Sequence, residues 1–582
     1  MAAYTIDNGD TAWVMVCAAL VFLMSPALGF FYAGLARAKN ALSLMYLTVL
    51  SVAVVSIQWY LIGYSLTFSE TGGAFIGDAR ALFIRQNDLT EHFLLRGVGQ
   101  APQLPSQTVP ASVFMIFQAM FACITPALAF GSAAERMSLG PAIIFVFVWT
   151  TLVYDVITCW VWGPQGWLAK LGVMDYAGGT PVHIASGLAA VAYAMVLGKR
   201  RDYNENVNTP HNVSFVFLGL ALLWFGWFAF NAGSALAANA RSVNSLVCTH
   251  LSACVAAMVW ILLDYRRSRK WSIIGLCTGA VAGLATVTPG SGFVSPSSSL
   301  AFGAIGSIVC NIALNYKHKY RFDDALDVFA VHYIGGLVGL LLTGIFAQQS
   351  VIALGYPEGT SLDMIPQGGW LDGNWMQLPI QLAAIASVSG WSFVVTYAIL
   401  ILLNKIPAFK LRLDDEAELL GTDLSEMGER AYSYLPLEDD QKHTRTASAS
   451  SSDIDAVNET MKVTHTHPPT ELFGGALQQL MTSPRDIVKG VPELIEPPVQ
   501  QSHNPSHRSS NPRHTVDMIQ STGGAVFQKS SAQVREEKQE QEFVGMEDQP
   551  MSVTTHMYHN NRPNTHHSTS TSSTTVTKEN EK

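Results

Sequence analysis

Two histidines are the groups in this 582-residue chain best placed to do chemistry. His183 lies in Asp175-Tyr176-Ala177-Gly178-Gly179-Thr180-Pro181-Val182-His183-Ile184-Ala185-Ser186-Gly187, and His332 in Asp324-Ala325-Leu326-Asp327-Val328-Phe329-Ala330-Val331-His332. Each stands about one turn inside an apolar run. An ionisable group in such a run is costly to strand in hydrocarbon, which makes it a functional hypothesis by default. The plainer alternative is a neutral histidine bonded to a neighbouring helix. The segment before His183 reads as the start of a helix running to about Leu197. Thr180 can cap it, Pro181 suits its first position, and Asp175 suits the positive end of its dipole. Asp175 could attract a cation or support the helix end, and the second role is favoured. A further carboxylate, Asp155 in Tyr154-Asp155-Val156, could line a cavity or pair with another helix. No nucleophile–base set or cofactor loop accompanies these groups, so no enzyme and no cofactor is expected. The seven cysteines lack metal-ligand or loop-staple spacing and read as small buried hydrophobes.

The elements that must hold these residues are membrane spans. Only 14% of the chain is charged, against about 25% in a soluble protein. Up to about Asn404 the sequence is a succession of apolar runs of about 20 residues, the length that crosses a bilayer. They fall at 12–35, 41–64, 111–132, 141–163, 178–197, 213–236, 243–263, 272–288, 298–316, 328–347 and 380–404, eleven in all. Basic residues follow every odd-numbered span: Arg37 and Lys39, then Arg136, then Lys199, Arg200 and Arg201, then Arg266, Arg267, Arg269 and Lys270, then Lys317, Lys319 and Arg321. The short loops between carry only Lys170 and Arg241, and the longer one after the second span has Arg80, Arg85 and Arg96. The positive-inside rule then puts the N-terminus outside and the C-terminus inside. The N-terminus has no basic stretch of the signal-peptide kind, so the first span should be retained.

The spans repeat. Phe31-Tyr-Ala33-Gly34-Leu-Ala36-Arg-Ala38-Lys-Asn40 matches Phe230-Asn-Ala232-Gly233-Ser-Ala235-Leu-Ala237-Ala-Asn239 at six positions. Thr125-Pro126 of span 3 is echoed by Thr288-Pro289 of span 8, and Val182-His183…Gly187-Leu188 by Val331-His332…Gly336-Leu337. Five spans per half make the second half enter from the opposite face: two five-helix inverted repeats plus a last helix, with the site near the midplane between them. That arrangement can bring His183 and His332 together, and it weighs against two unrelated structural histidines. Glu135-Arg136 and Asp323-Asp324 at helix ends read as structural. The aromatic run Trp224-Phe225-Gly226-Trp227-Phe228-Ala229-Phe230 reads first as core or interfacial belt, with Trp227 the member assigned to a path along which an aromatic face can hold a cation.

The organisation expected is therefore an all-α membrane body over 1–404, a charged cytoplasmic segment over 405–437, and a Ser-, Thr-, His-, Gln- and Asn-rich tail over 438–582 whose composition cannot bury a core. Ten of the sixteen histidines fall in that tail without ligand spacing, so no metal site is expected there. Arg445-x-x-Ser448 has the pattern of a kinase site.

On Asp175–His183, Phe121-Ala-Cys-Ile-Thr125, Gly226-Trp-Phe-Ala-Phe-Asn-Ala-Gly-Ser234 and Asp324–His332, the chain resembles the ammonium transporter family (the Amt/MEP/Rhesus superfamily) over about residues 12–432. The tail and Gly163-Pro164-Gln165-Gly166-Trp167 resemble its fungal permease branch. The resemblance implies a multi-pass plasma-membrane homotrimer with one pore per subunit, carrying ammonium or ammonia, with methylammonium as an analogue. It assigns His183 and His332 to the paired pore histidines, Phe121 and Phe230 to the stacked pore phenylalanines, Trp162 and Ser234 to outer cation recruitment, and Asp175 to the acidic residue beside them. Some fungal relatives carry an acidic residue at the first histidine position, whereas this chain keeps His183, like the permeases linked to scavenging and sensing. Asp155-Val156 departs from the apolar, often proline-containing, pattern. Two other readings stay open: a nutrient receptor signalling through its tail to kinase or other partners, and a channel for neutral gas. Nothing suggests a nucleic-acid partner.

Overall fold

The computed structural model describes residues 6–432 apart from 70, 79–107, 202, 204–209, 317–318 and 320–321. The chain divides into two compact units, Met1–Ala456 and Val457–Lys582, and every described residue belongs to the first. The expected disorder of 438–582, the kinase pattern at Arg445 and Ser448, and Arg80, Arg85, Arg96, Lys317 and Arg321 lie outside the described residues.

Among the described residues the fold is helical, as the apolar runs require. The spans are α1 (Asn8–Leu35), α2 (Ala38–Phe68), α3 (Ala111–Ala133), α4 (Gly140–Leu171), α5 (Gly179–Leu197), α6 (Val213–Ala235), α7 (Ala240–Ser268), α8 (Ile273–Val287), α9 (Pro296–Ala313), α10 (Phe329–Phe346) and α11 (Gln377–Asn404). Ten are long and apolar enough to cross a membrane. The exception is α8, whose 15 residues rise only about 22 Å, short of a hydrocarbon core of about 30 Å. The eleven spans expected are thus ten full-length helices and one short one. α2 and α4 are also longer than expected: α2 gains the turn Ala38–Asn40 and runs on to Phe68, and α4 gains the short helix Trp167–Leu171. Each contains a π-helical turn, Trp59–Gly63 and Thr150–Tyr154. Two more π turns open α5 (Gly179–Ile184) and α10 (Phe329–Tyr333) and contain the two histidines.

Polar residues just ahead of the apolar runs start the helices. Asp7, Asn212, Asn239 and Ser295 each accept a backbone N–H three residues on, ahead of α1, α6, α7 and α9. Packing follows the repeat: α1 lies along α6, the first helix of each half, and α5 lies against α10, the last of each half. Large apolar side chains such as Val243, Val394 and Leu402 are more than 60% exposed on the outer surface, which suits hydrocarbon rather than water as their solvent.

One end of the body is closed by charge. Glu135 accepts from Arg37 Nε (2.8 Å) and Arg200 Nη1 (2.7 Å), and Asp323 accepts from Arg200 Nε (2.9 Å) and Arg200 Nη2 (2.9 Å). Burial on its own would raise both carboxyls, but the arginines around them hold both below their usual range. Burial also brings the Arg136 guanidinium down to about 10. The chain after α11 docks at the same end. Glu418 accepts from Arg201 N (2.7 Å) and Arg412 Nη2 (2.8 Å), Asp423 from Leu42 N (2.9 Å) and Ser43 N (2.8 Å), and Glu426 from Leu139 N (3.0 Å). The acidic residues of this segment thus meet the start of α2 and the loops after α3 and α5.

Glu135→Ala should destabilise the folded body, because removing one partner of a buried pair costs about 3–5 kcal/mol; Arg200 Nη1 loses its acceptor while Asp323 still holds Nε and Nη2. An unchanged melting temperature in detergent would contradict this. The pH sign follows from the lowered carboxyls. Their contribution is complete above the ordinary carboxylate range of about 4 and is lost only as acid takes the pH down through their lowered values. Wild-type melting should therefore show no step from this cluster near neutrality.

Candidate functional site

The site begins at the turn between α4 and α5. Gly178 takes φ 112°, a left-handed conformation that glycine adopts freely, and turns the chain into the π turn that carries His183. Asp175 caps that turn. Its Oδ1 accepts from Gly178 N (3.0 Å) and Gly179 N (2.7 Å), and its Oδ2 from Thr180 N (2.6 Å) and Thr180 Oγ1 (2.5 Å). Thr180, expected as the cap, is instead the second residue of the helix and donates to the cap. The reason is reach: only a side chain entering from before the glycines can meet three successive N–H groups. Burial pushes the Asp175 carboxyl up, with these four hydrogen bonds opposing it. These four hydrogen bonds direct both carboxylate oxygens into the turn. The Asp175 backbone carbonyl accepts from Trp162 Nε1 at 2.8 Å.

From Trp162 the aromatic groups form an unbroken series. Trp162 meets Phe121 edge-on with ring centroids 6.1 Å apart, and Phe121 lies over Phe230 at 4.1 Å and 33°. Phe230 is 6.3 Å from the His183 ring, and the two histidine rings are 5.3 Å apart at 25°. Trp227 stacks on His183 at 5.5 Å and 19°, and its Nε1 is held by Thr288 Oγ1 at 2.9 Å. Ser234 donates its hydroxyl proton to Phe230 O (2.8 Å), which leaves the oxygen's lone pairs as acceptors. The structure therefore brings Trp162, Phe121, Phe230, Trp227, His183 and His332 into one series of ring contacts, with Asp175 bonded behind Trp162 and Ser234 bonded to Phe230 O. Beyond the phenylalanines lies a cavity of about 80 Å³ lined by both histidines and by apolar side chains including Leu28, Ile124, Val182 and Val328.

His183 Nδ1 and His332 Nδ1 are 3.2 Å apart. Two nitrogens at that distance share one proton. The ring that donates it has a bare Nε2, and the ring that accepts it has a protonated Nε2. The pair therefore always presents one acceptor and one donor at its outer nitrogens, and His183 Nε2 has no protein partner among the described residues.

The close approach rests on the glycines of the repeated Val-His-x-x-x-Gly-Leu pattern. A Cβ on Gly187 would stand 2.5 Å from Tyr333 N, and one on Gly336 would stand 2.8 Å from Gly179 O and 3.0 Å from His183 Cβ. The roles are reciprocal, each half's glycine receiving the other half's histidine turn. The sequence shows Gly187 and Gly336 as members of the repeated pattern, without the contacts they make. Sequence reasoning also missed Thr288 as the group that holds Trp227. The signal was present in both cases, since both belong to the repeated motifs.

Comparison with known proteins gives one answer. Residues 12–432 match the Ammonium Transporter Family. The chain is 48% identical over 428 residues to ammonium transporter 1 of Schizosaccharomyces pombe, covering 74% of this chain and 83% of that one. It is 41% identical over 441 residues to ammonium transporter MEP2 of Saccharomyces cerevisiae, covering 74% and 85%. It also resembles the crystal structure of Candida albicans Mep2, with a TM-score of 0.65 and 39% identity over 74% of this chain and 91% of that one.

Proposed function

The chain belongs to the ammonium transporter family, and on that footing we propose that it takes ammonium from outside the cell and passes it inward by removing its proton at His183 and His332. The observation that carries this reading is the 3.2 Å contact between the two Nδ1 atoms beneath the stacked phenylalanines. A bare cation cannot cross such an apolar passage, because burial of an isolated charge costs far more than the aromatic faces return. An alkylammonium titrates near about 10.4, and burial lowers such a group by about 3–5 units. That brings desolvated ammonium near the ordinary value of an imidazole, about 6.5, so transfer of its proton to a bare histidine nitrogen becomes roughly balanced.

In this mechanism Trp162 and Ser234 collect ammonium, the first by its ring face and the second by its free lone pairs. The cation passes Phe121 and Phe230, with Trp227 walling the route, and gives its proton to the pair. Ammonia continues through the cavity, and the proton leaves from the opposite outer nitrogen. Potassium has no proton to give and is refused. The protein acts as a plasma-membrane homotrimer with its N-terminus outside and all eleven helices crossing. Residues 405–437 are a regulatory segment, and the tail over 438–582 serves signalling partners, among them a kinase at Ser448. Methylammonium, which has the same dissociable protons, is a second substrate.

Electrical recording on reconstituted protein tests the reading. An inward ammonium gradient should drive current and an equal potassium gradient none. Ammonia flux without current at any voltage would favour a neutral gas channel instead. Removal of residues beyond 440 separates transport from signalling: uptake should survive it, whereas a receptor that transports little would show its loss in signalling alone.

A further inference from the structure

Asp155, the departure in span 4, is not among the residues that line the cavity beside the histidines. It is 0% exposed within α4, as is Gln58 within α2. Gln58 Nε2 donates to Asp155 Oδ2 at 2.7 Å and to Thr151 Oγ1 at 3.0 Å. The other oxygens of the two side chains, Asp155 Oδ1 and Gln58 Oε1, are buried without a partner. Among the four π turns described within the spans, two flank this pair: Trp59–Gly63 begins directly after Gln58, and Thr150–Tyr154 ends directly before Asp155. The other two carry the pore histidines. Such turns are rare and concentrate at functional sites.

An ionised carboxylate here would have nothing to neutralise it. From Ala41 to Phe68 of α2, throughout α3 and α11, and from Gly140 to Ala169 of α4, Asp155 is the only Asp, Glu, Lys, Arg or His. The titratable groups nearest it are Tyr154 and Cys159 of α4, with Cys123 of α3 beside Tyr154. An isolated buried charge is strongly unfavourable. Two bare acceptor oxygens, on the acid and on the amide, cannot bond to each other. A single proton resolves both difficulties: placed on Oδ1, it cancels the charge and becomes the donor that Gln58 Oε1 lacks.

We propose that Asp155 and Gln58 form a second proton-binding site, off the pore, in which Asp155 is held as a neutral acid that donates through Oδ1 to Gln58 Oε1 while accepting from Gln58 Nε2 through Oδ2. The carboxylate takes up one proton from water and no other atom is exchanged. The resulting ring of two hydrogen bonds ties α2 to α4. Trp162 follows Asp155 by two turns on α4, and Ser51 Oγ of α2 donates to Cys123 O on α3 at 2.6 Å, two residues after Phe121. Asp155 is thus a positioning residue for the outer aromatic groups.

Infrared spectroscopy of the purified full chain at neutral pH reads the site directly. Wild type should show the carbonyl stretch of a protonated carboxylic acid, and Asp155→Asn should remove it. Because the asparagine amide supplies an N–H where the acid supplied an O–H, D155N should keep uptake within about twofold of wild type, the near-neutral result of preserving both hydrogen bonds. Asp155→Ala should raise the KM for uptake about tenfold, whereas D155N leaves it in place. Absence of the band in wild type, its persistence in D155N, or a D155N uptake defect as large as that of D155A would overturn the proposal. Should D155N not assemble, Gln58→Leu must shift the same band by removing its hydrogen-bond partner, and an unmoved band would equally overturn it.

Discussion

Reconstituted protein carrying both His183→Ala and His332→Ala should no longer distinguish ammonium from potassium. The wild-type pair offers one bare and one protonated nitrogen, so it can take a proton and release another without moving. Alanine supplies neither, and general acid–base groups of this kind contribute about 10²–10⁴-fold to rate. Ammonia transfer should fall by about 10²-fold or more, and any remaining current should be carried alike by both cations through the space the rings vacate. The single His332→Ala variant should show an intermediate defect, because His183 Nδ1, 3.2 Å from His332 Nδ1 in the wild type, loses the partner that fixes its tautomer. Double-mutant protein that conducts ammonium as selectively as wild type would rule out deprotonation at this pair.

The second large effect is expected at a residue with no chemistry. Gly187→Ala would place a methyl carbon 2.5 Å from Tyr333 N and 2.8 Å from Tyr333 Cα. These are backbone atoms, which cannot swing aside, so α5 and α10 must separate. Overpacking of this kind costs about 1–3 kcal/mol and occasionally more. The separation acts directly on the Nδ1–Nδ1 contact, so selectivity should fail even in protein that still assembles. Gly336→Ala, whose methyl carbon meets Gly179 O at 2.8 Å and His183 Cβ at 3.0 Å, should act in the same direction with a smaller effect. Gly390→Ala in α11 is the control, since a Cβ there meets nothing within 4 Å. It should be neutral or slightly stabilising, because alanine is the better helix former. The three are compared by melting temperature in detergent and by ammonium-to-potassium current ratio. Equal behaviour of G187A and G390A would refute the account.

The pore was legible because its chemistry is periodic. His183 and His332 recur with the same valine before and the same glycine after, and apolar runs long enough to span a bilayer can be counted directly. What escaped the sequence depends on partners distant along the chain. Nothing near Asp155 announces Gln58, 97 residues away. The π turns have no composition of their own and arise where packing pulls a carbonyl out of register. Asp175 rather than Thr180 caps α5 because a glycine turn lets an earlier side chain fold back, a geometry that spacing alone leaves ambiguous. The shortness of α8 was legible, because Thr288-Pro289-Gly290-Ser291-Gly292 closes its apolar run.

The reciprocal fit of Gly187 against Tyr333 and of Gly336 against His183 has a consequence for how the molecule turns over. A carrier that alternates access must swing one half about the other, and the fulcrum of that swing would lie where the two halves cross. Here the fulcrum is filled, backbone against backbone, from both sides. A rocking stroke would tear apart the same contact that holds the histidines in register. Opening and closing must therefore be the work of side chains, such as the Phe121 and Phe230 rings, or of the segments at the charged end, while the two halves stay clasped. The proposed transport thus calls for a fixed sieve with a small door rather than a hinge.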